Sequence, residues 1–221
     1  MEKKKSYAVC GLGAFGAHLA EKLAGDDYKY DVMACDIDPV KVNKIRDKVK
    51  HAVIADVSDI EAVKELDIAR FDTVILSMSK YFEKQILALT WLKQEGAKRV
   101  YVKAASDVQG SILNRLGADK VIYPEHEVAE RLCRTLSFDN ISNIIDFKGE
   151  AIAEVSVPRS MHGKSLIELD LRGKYSITVL FINKPIESVD KTPGPHTVLE
   201  RGDKLTVFGK YESIIELFKE K

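Results

Sequence analysis

Up to about residue 140, short unbroken apolar runs alternate with stretches whose apolar residues recur every three or four positions. The runs fall at residues 7–10, 31–36, 52–55, 73–78, 100–103 and 120–123, and none shows the in–out alternation of a half-exposed strand. Continuous apolar character is how strands covered on both faces of a parallel sheet read. Helical periodicity fills the intervals at residues 15–24, 40–46, 60–65, 82–94 and 108–116. Strand and helix in regular alternation predict an α/β fold with a doubly wound parallel sheet.

The rhythm then changes. "EHEVAERLCRTLS", residues 125–137, reads as one more helix, with Val128, Leu132 and Leu136 on a single face. "FDNISNIIDF" reads as a polar-spotted connector. From residue 151 the pattern becomes short strands ("AIAEVSV", "SITVLFI", "KLTVFG") with helices at "GKSLIELDL" and "YESIIELFKE", a small α+β unit. The expected division is a first domain over residues 1–140, including the helix at 125–137, and a second over 141–221.

Charge narrows the function classes. Lys+Arg and Asp+Glu are both 34, so the formal net charge is zero. A balanced chain leaves no electrostatic footprint for nucleic acid, and Lys3-Lys4-Lys5 reads as a solvated tail. The longest apolar runs, such as "ILALTWL", are too short to cross a bilayer, and no signal-peptide pattern precedes the first strand; the expected location is the cytosol. Of the three cysteines, Cys10 and Cys35 sit inside apolar runs as small hydrophobes, and Cys133 stands alone without a CxxC spacing.

The stretch "YAVCGLGAFGAHLAEKL" carries the clearest chemistry. It places Gly11, Gly13 and Gly16 between a strand and a helix, and Asp36 ends the next strand twenty residues after Gly16. Gly11 permits the tight turn, Gly13 lets a diphosphate approach the backbone, and Gly16 allows helix and sheet to pack closely. The diphosphate would rest on the free amides of the helix start, beside Ala14 and Phe15, while Asp36, next to Ile37, accepts the ribose hydroxyls. A free 2′-hydroxyl is needed for that, which disfavours NADP. Ala55, Asp56 and Val57 end the third strand where an adenine ring would lie; Asp56 reads equally as a helix cap. Ser77 and Met78 end the fourth strand, and Lys103 ends the fifth, where it either faces phosphate or is simply solvated.

Catalysis finds no support. Of the five histidines, His18 and His51 read as structural, and His126 and His162 have no carboxylate at a useful spacing. No nucleophile–base arrangement or metal-ligand cluster is visible in the second unit. A nucleotide lobe with a small companion therefore reads as a sensor. The competing reading is a small NAD-dependent oxidoreductase whose second lobe serves oligomerisation.

The ordered set "YAVCGLGAFGAHLAEKL", "VMACDID", "HAVIADVSD", "DTVILSMS", "VYVKAAS" and "LGADKVIYPE" resembles the RCK (KTN) domain of Ktr and Trk potassium transport systems. "VPRSMHGKSLIELDLRGKYSITVLFINK" with "GDKLTVFGK" is similar to the C-terminal RCK (TrkA-C) lobe that follows it. The resemblance implies a Rossmann-like lobe and an RCK C-terminal lobe. It also implies a cytosolic gating subunit that pairs as a homodimer, assembles into an octameric ring under a membrane potassium channel or transporter, and responds to ATP/ADP or NAD(H). It further implies that Glu125 helps hold a divalent cation, Mg2+ or Ca2+, near the phosphates. Family members commonly carry arginine at the fourth glycine-motif position, where this chain has Ala14, so ADP, AMP or NAD become more plausible occupants than ATP. The family's C-terminal lobe also binds cyclic di-AMP, and the matching positions here are Asp170, Leu171 and Arg172 with Pro195 and His196.

Overall fold

In a computed structural model the chain is described over residues 4–25, 29–185 and 193–218, Arg134 by its backbone alone. Lys3 and the end of the last expected helix, Lys219 and Glu220, lie outside those residues. The chain divides into two compact units, Met1–His126 and Glu127–Lys221.

The first unit is a six-stranded parallel sheet in the order β3-β2-β1-β4-β5-β6. Its strands are β1 (Ser6–Cys10), β2 (Asp31–Asp36), β3 (His51–Ile54), β4 (Thr73–Leu76), β5 (Val100–Lys103) and β6 (Lys120–Ile122). The connecting helices are α1 (Ala14–Ala24), α2 (Pro39–Ile45), α3 (Ile60–Glu65), α4 (Phe82–Gln94) and α5 (Asp107–Arg115). Two apolar clusters cover the two faces. One packs Leu76, Leu89, Leu92, Val102 and Leu113; the other packs Val9, Ala20, Val32, Val42 and Ile75. Each fully buried branched side chain contributes about 1.5–3 kcal/mol relative to exposure, which is why runs apolar on both sides fold as interior strands. Cys10 and Cys35 are register partners inside this core. A hydrogen bond between the thiols, with burial behind it, holds the Cys10 thiol well above its ordinary pKa, so it is inert.

One glycine has a packing cause invisible in local sequence. Gly110 sits inside α5 because a Cβ there would lie 1.7 Å from the Tyr123 hydroxyl. The ring of Tyr123 also stacks on His126, centroids 5.4 Å apart.

The second unit begins with most of α6 (Pro124–Ser137) and contains an antiparallel sheet in the order β7-β8-β10-β9. Its strands are β7 (Ile141–Phe147), β8 (Glu150–Ser156), β9 (Thr178–Asn183) and β10 (Lys204–Lys210). The expected connector at 138–147 is therefore mostly strand. β7 and β8 form a hairpin around Lys148 and Gly149, both at positive φ, the geometry of a tight two-residue turn. The helix expected over "GKSLIELDL" is the shorter α7 (Leu166–Leu169), ended at Asp170 with φ 45°, and a second short helix that the sequence pattern does not predict, α8 (Leu171–Tyr175), follows it. Ser165 and Glu168 form a reciprocal cap at the start of α7. The last helix, α9 (Tyr211–Phe218), buries Ile214 and Phe218.

Candidate functional site

The strand order reverses between β1 and β4, and loops from the carboxyl ends of both diverge there to leave a crevice. A cleft of about 470 Å3 occupies it, within the usual range for small-molecule sites. Every nucleotide-contact residue expected from the sequence lines it except Gly16, and so does Glu125.

The glycines divide their work as the spacing suggests. Gly11 has φ +99°, and a Cβ there would sit 2.6 Å from the Ser77 carbonyl oxygen. A Cβ on Gly16 would lie 2.0 Å from the Gly11 carbonyl oxygen, so this residue is consumed by packing rather than by the cleft. Gly13 is different: nothing stands within 4 Å of its Cβ position, and it is the N-cap of α1 without any side-chain capping bond. The open space lies where unpaired helix amides point.

Asp36 is 7% exposed and does more than face the cleft. Its Oδ2 accepts the Leu12 amide at 2.7 Å and its Oδ1 the Asp38 amide at 2.9 Å. The Lys41 ammonium stands 3.3–3.4 Å from both oxygens. The carboxylate thus braces the glycine turn to the start of α2, whose N-cap is Asp38.

Asp56 is also engaged. Its Oδ1 accepts the Ser58 hydroxyl at 2.6 Å and the Ser58 amide at 3.1 Å, and Lys84 from α4 donates to Oδ2 at 2.5 Å. Partial burial works against its charge, but the bonds from Lys84 and Ser58 outweigh burial and hold its pKa below the ordinary carboxylate value. The cap of α3 is Asp59, not Asp56. Trp91 Nε1 donates to the Ser58 carbonyl at 3.0 Å, tying this corner to α4.

Lys103 is largely buried and donates to Glu125 in the first turn of α6. That hydrogen bond depresses the Glu125 pKa against a smaller burial effect. The donor set of one chain does not fit a divalent cation: the Glu125 carboxylate is committed to an ammonium, and among the described residues no group of three His, Cys, Asp or Glu side chains converges. Behind the wall, the fully buried Gln85 donates through Nε2 to the Lys103 carbonyl at 2.9 Å and more weakly to the Leu76 carbonyl at 3.4 Å.

Sequence reasoning missed Lys41, Lys80, Tyr81 and Lys84, all of which line the cleft. A first-turn lysine such as Lys84 looks like any solvated cation until α4 is packed beside α3 and brings it to Asp56.

In the second unit, Leu171 points into the core, so only its main chain remains available, whereas Arg172 is exposed. Pro195 and His196 are exposed, and the Pro195 carbonyl accepts the Ile167 amide at 2.8 Å, which docks their loop on α7. His162 Nε2 lies 3.2 Å from the Val157 carbonyl, and His51 lies 3.6 Å from Asp31; both contacts are structural.

Residues 7–124 match the TrkA-N domain family and residues 152–221 the TrkA-C domain family. The chain is 32% identical over 212 residues to Ktr system potassium uptake protein C of Bacillus subtilis, covering 96% of this chain and 95% of that one. The chain belongs to the Ktr potassium uptake protein family. Ktr system potassium uptake protein A of Vibrio alginolyticus is 31% identical, with 97% of each chain covered. Among solved structures, the TrkA-N domain of the inner membrane protein ybaL of Escherichia coli superposes with a TM-score of 0.53 at 18% identity, over 62% of this chain and 99% of that one. The GsuK channel bound to NAD gives a TM-score of 0.52 at 20% identity. This Ktr-family chain is covered to 99% there but spans 38% of that channel chain. These two likenesses establish the RCK-type fold. No helix among the described residues is long and apolar enough to cross a membrane.

Proposed function

We propose that the chain is a nucleotide-sensing regulatory subunit of a potassium uptake system and that the cleft beside Gly11 and Asp36 is its sensing site. An adenine nucleotide enters with its phosphates toward Gly13 and the start of α1, its ribose toward Asp36 and its base toward Ala55, Asp56 and Val57. The observation that carries this reading is the division among the glycines: two are filled by the protein's own backbone, while Gly13 opens onto unclaimed space at a helix start. The near-full-length kinship with Ktr potassium uptake proteins supplies the transport context.

The chain performs no turnover in this reading, because the cleft holds ion pairs rather than a nucleophile and a base. Occupancy acts by favouring one arrangement of subunits over another. The subunits are homodimers closing into an octameric ring on the cytoplasmic face of a membrane potassium channel or transporter. The nucleotide lobe is assigned residues 1–140 with the helix at 125–137, and the regulatory lobe residues 141–221. Cyclic di-AMP is a second effector in this proposal, held near Arg172, Pro195 and His196.

The test is calorimetric titration of the nucleotide-free protein with ADP, ATP and NADH, together with mass spectrometry of whatever co-purifies. Saturable binding without substrate-dependent NADH oxidation is expected. Lack of any adenine-nucleotide binding at saturation, or sustained oxidation, overturns the reading.

A further inference from the structure

The cleft's charges are nearly all spoken for. Four lysines line it, Lys41, Lys80, Lys84 and Lys103. Three are spent on carboxylates of the same cleft: Lys41 on Asp36, Lys84 on Asp56, and Lys103 on Glu125. The remaining acid, Asp38, accepts the Val40 amide at 2.9 Å. These pairs leave no surplus positive charge for a phosphate group, and Ala14, first residue of α1, brings none. The α1 dipole offers only about half an elementary charge at its start.

Lys80 is the exception. It lines the cleft, is exposed, and has no ion-pair or hydrogen-bond partner among the described residues. Its place is as telling as its freedom. It lies on the loop that leaves β4, and that loop is pressed against the glycine turn: the Ser77 amide donates to the Cys10 carbonyl at 2.7 Å, and the Ser77 carbonyl oxygen is the atom that forbids a Cβ on Gly11. The β4 exit therefore lies beside the glycine turn, and Lys80 lines the same cleft as Gly13 and Ala14, whereas Lys84, in the first turn of α4, is held by Asp56.

We infer that Lys80 is the specificity-determining cation of the site, meeting the terminal phosphate of a nucleoside diphosphate or triphosphate and setting the preference for phosphorylated ligands over the nucleoside. This rests on the proposed nucleotide site. A free ammonium gains a charge-assisted bond to phosphate without first breaking another pair, which Lys41, Lys84 and Lys103 would each have to do.

The experiment is calorimetry on the full chain, wild type and Lys80→Met, with ADP and with adenosine. Lys80→Met is expected to weaken ADP about tenfold while leaving adenosine within about twofold. Adding Ala14→Arg to Lys80→Met should recover most of the ADP affinity by restoring a cation from the other wall. Unchanged ADP affinity in Lys80→Met, or equal losses for ADP and adenosine, overturns the assignment while the site reading stands. Failure of the wild type to bind either ligand overturns both.

Discussion

Replacing Asp36 by alanine should unsettle the empty protein before any ligand is added. The side chain accepts the buried Leu12 amide and the half-buried Asp38 amide, and neither has another acceptor within the turn. A buried amide left without a partner costs about 1–3 kcal/mol. The Asp38 amide, which water can reach, adds at most ~1 kcal/mol by the same reasoning. Loss of the Lys41 pair contributes little, because that lysine is 40% exposed and exposed pairs are worth about 0–1 kcal/mol. The sum is roughly 1–5 kcal/mol, or a drop of about 4–20 °C in melting temperature at ~4 °C per kcal/mol. Asp36→Asn should fall between, since its amide oxygen serves one donor while its NH2 faces the other. The assay is differential scanning calorimetry on nucleotide-free protein, with ligand affinity measured separately at a temperature where each variant is folded. Affinity should fall by ~1.5 kcal/mol or more in Asp36→Ala. A melting temperature within about 2 °C of wild type would refute the bracing role and leave Asp36 as a ligand contact alone.

The glycines give a paired contrast. Gly16→Ala forces a Cβ to within 2.0 Å of a backbone oxygen and should unfold or strongly destabilise the first unit, whereas Gly13→Ala, with open space and φ −68°, should melt normally yet bind nucleotide more weakly; equal melting temperatures would show that the turn relaxes. Gly110→Ala should destabilise the same unit, and Tyr123→Phe in that background should recover part of the loss by removing the clashing oxygen; no recovery would place the clash elsewhere. Asp56, Asp119 and Glu125 have folded pKa values depressed below their ordinary ones. Such groups add stability above the unfolded pKa and lose it as pH falls through the folded pKa. The urea midpoint should hold from neutral pH into mild acid and decline as pH drops through and below the ordinary carboxylate range. Lys103→Met should shallow that decline by removing the cause of the Glu125 shift, and an unchanged slope would contradict it.

The parts of this molecule legible in sequence were those written in local spacing. The order of strands and helices, the glycine turn and Asp36 all follow from distances of a few to twenty residues along the chain. What escaped depends on partners remote in sequence. β7 reads as a connector because Asn143 and Asp146 interrupt its apolar residues, and only its hairpin partner β8 makes sense of them; Gly149, in the turn between the two strands, was the available signal. The helix expected over residues 163–171 runs past the break at Asp170, and α8 escaped, because an aspartate adopting a left-handed conformation leaves no mark in periodicity. In the site, the pairing of Asp56 with Lys84 spans 28 positions and that of Lys103 with Glu125 spans 22, so neither was foreseeable before the sheet was assembled.

The buried amide of Gln85 has a mechanical consequence. By grasping the carbonyls at the ends of β4 and β5, it staples together the floor on one side of the crevice. Strands stapled this way cannot spread apart to admit a bulkier guest. Whatever adjustment different nucleotides require falls to the exposed arm of Lys80, unpaired among the described residues, so the scaffold acts as a fixed gauge and that lysine as its movable jaw.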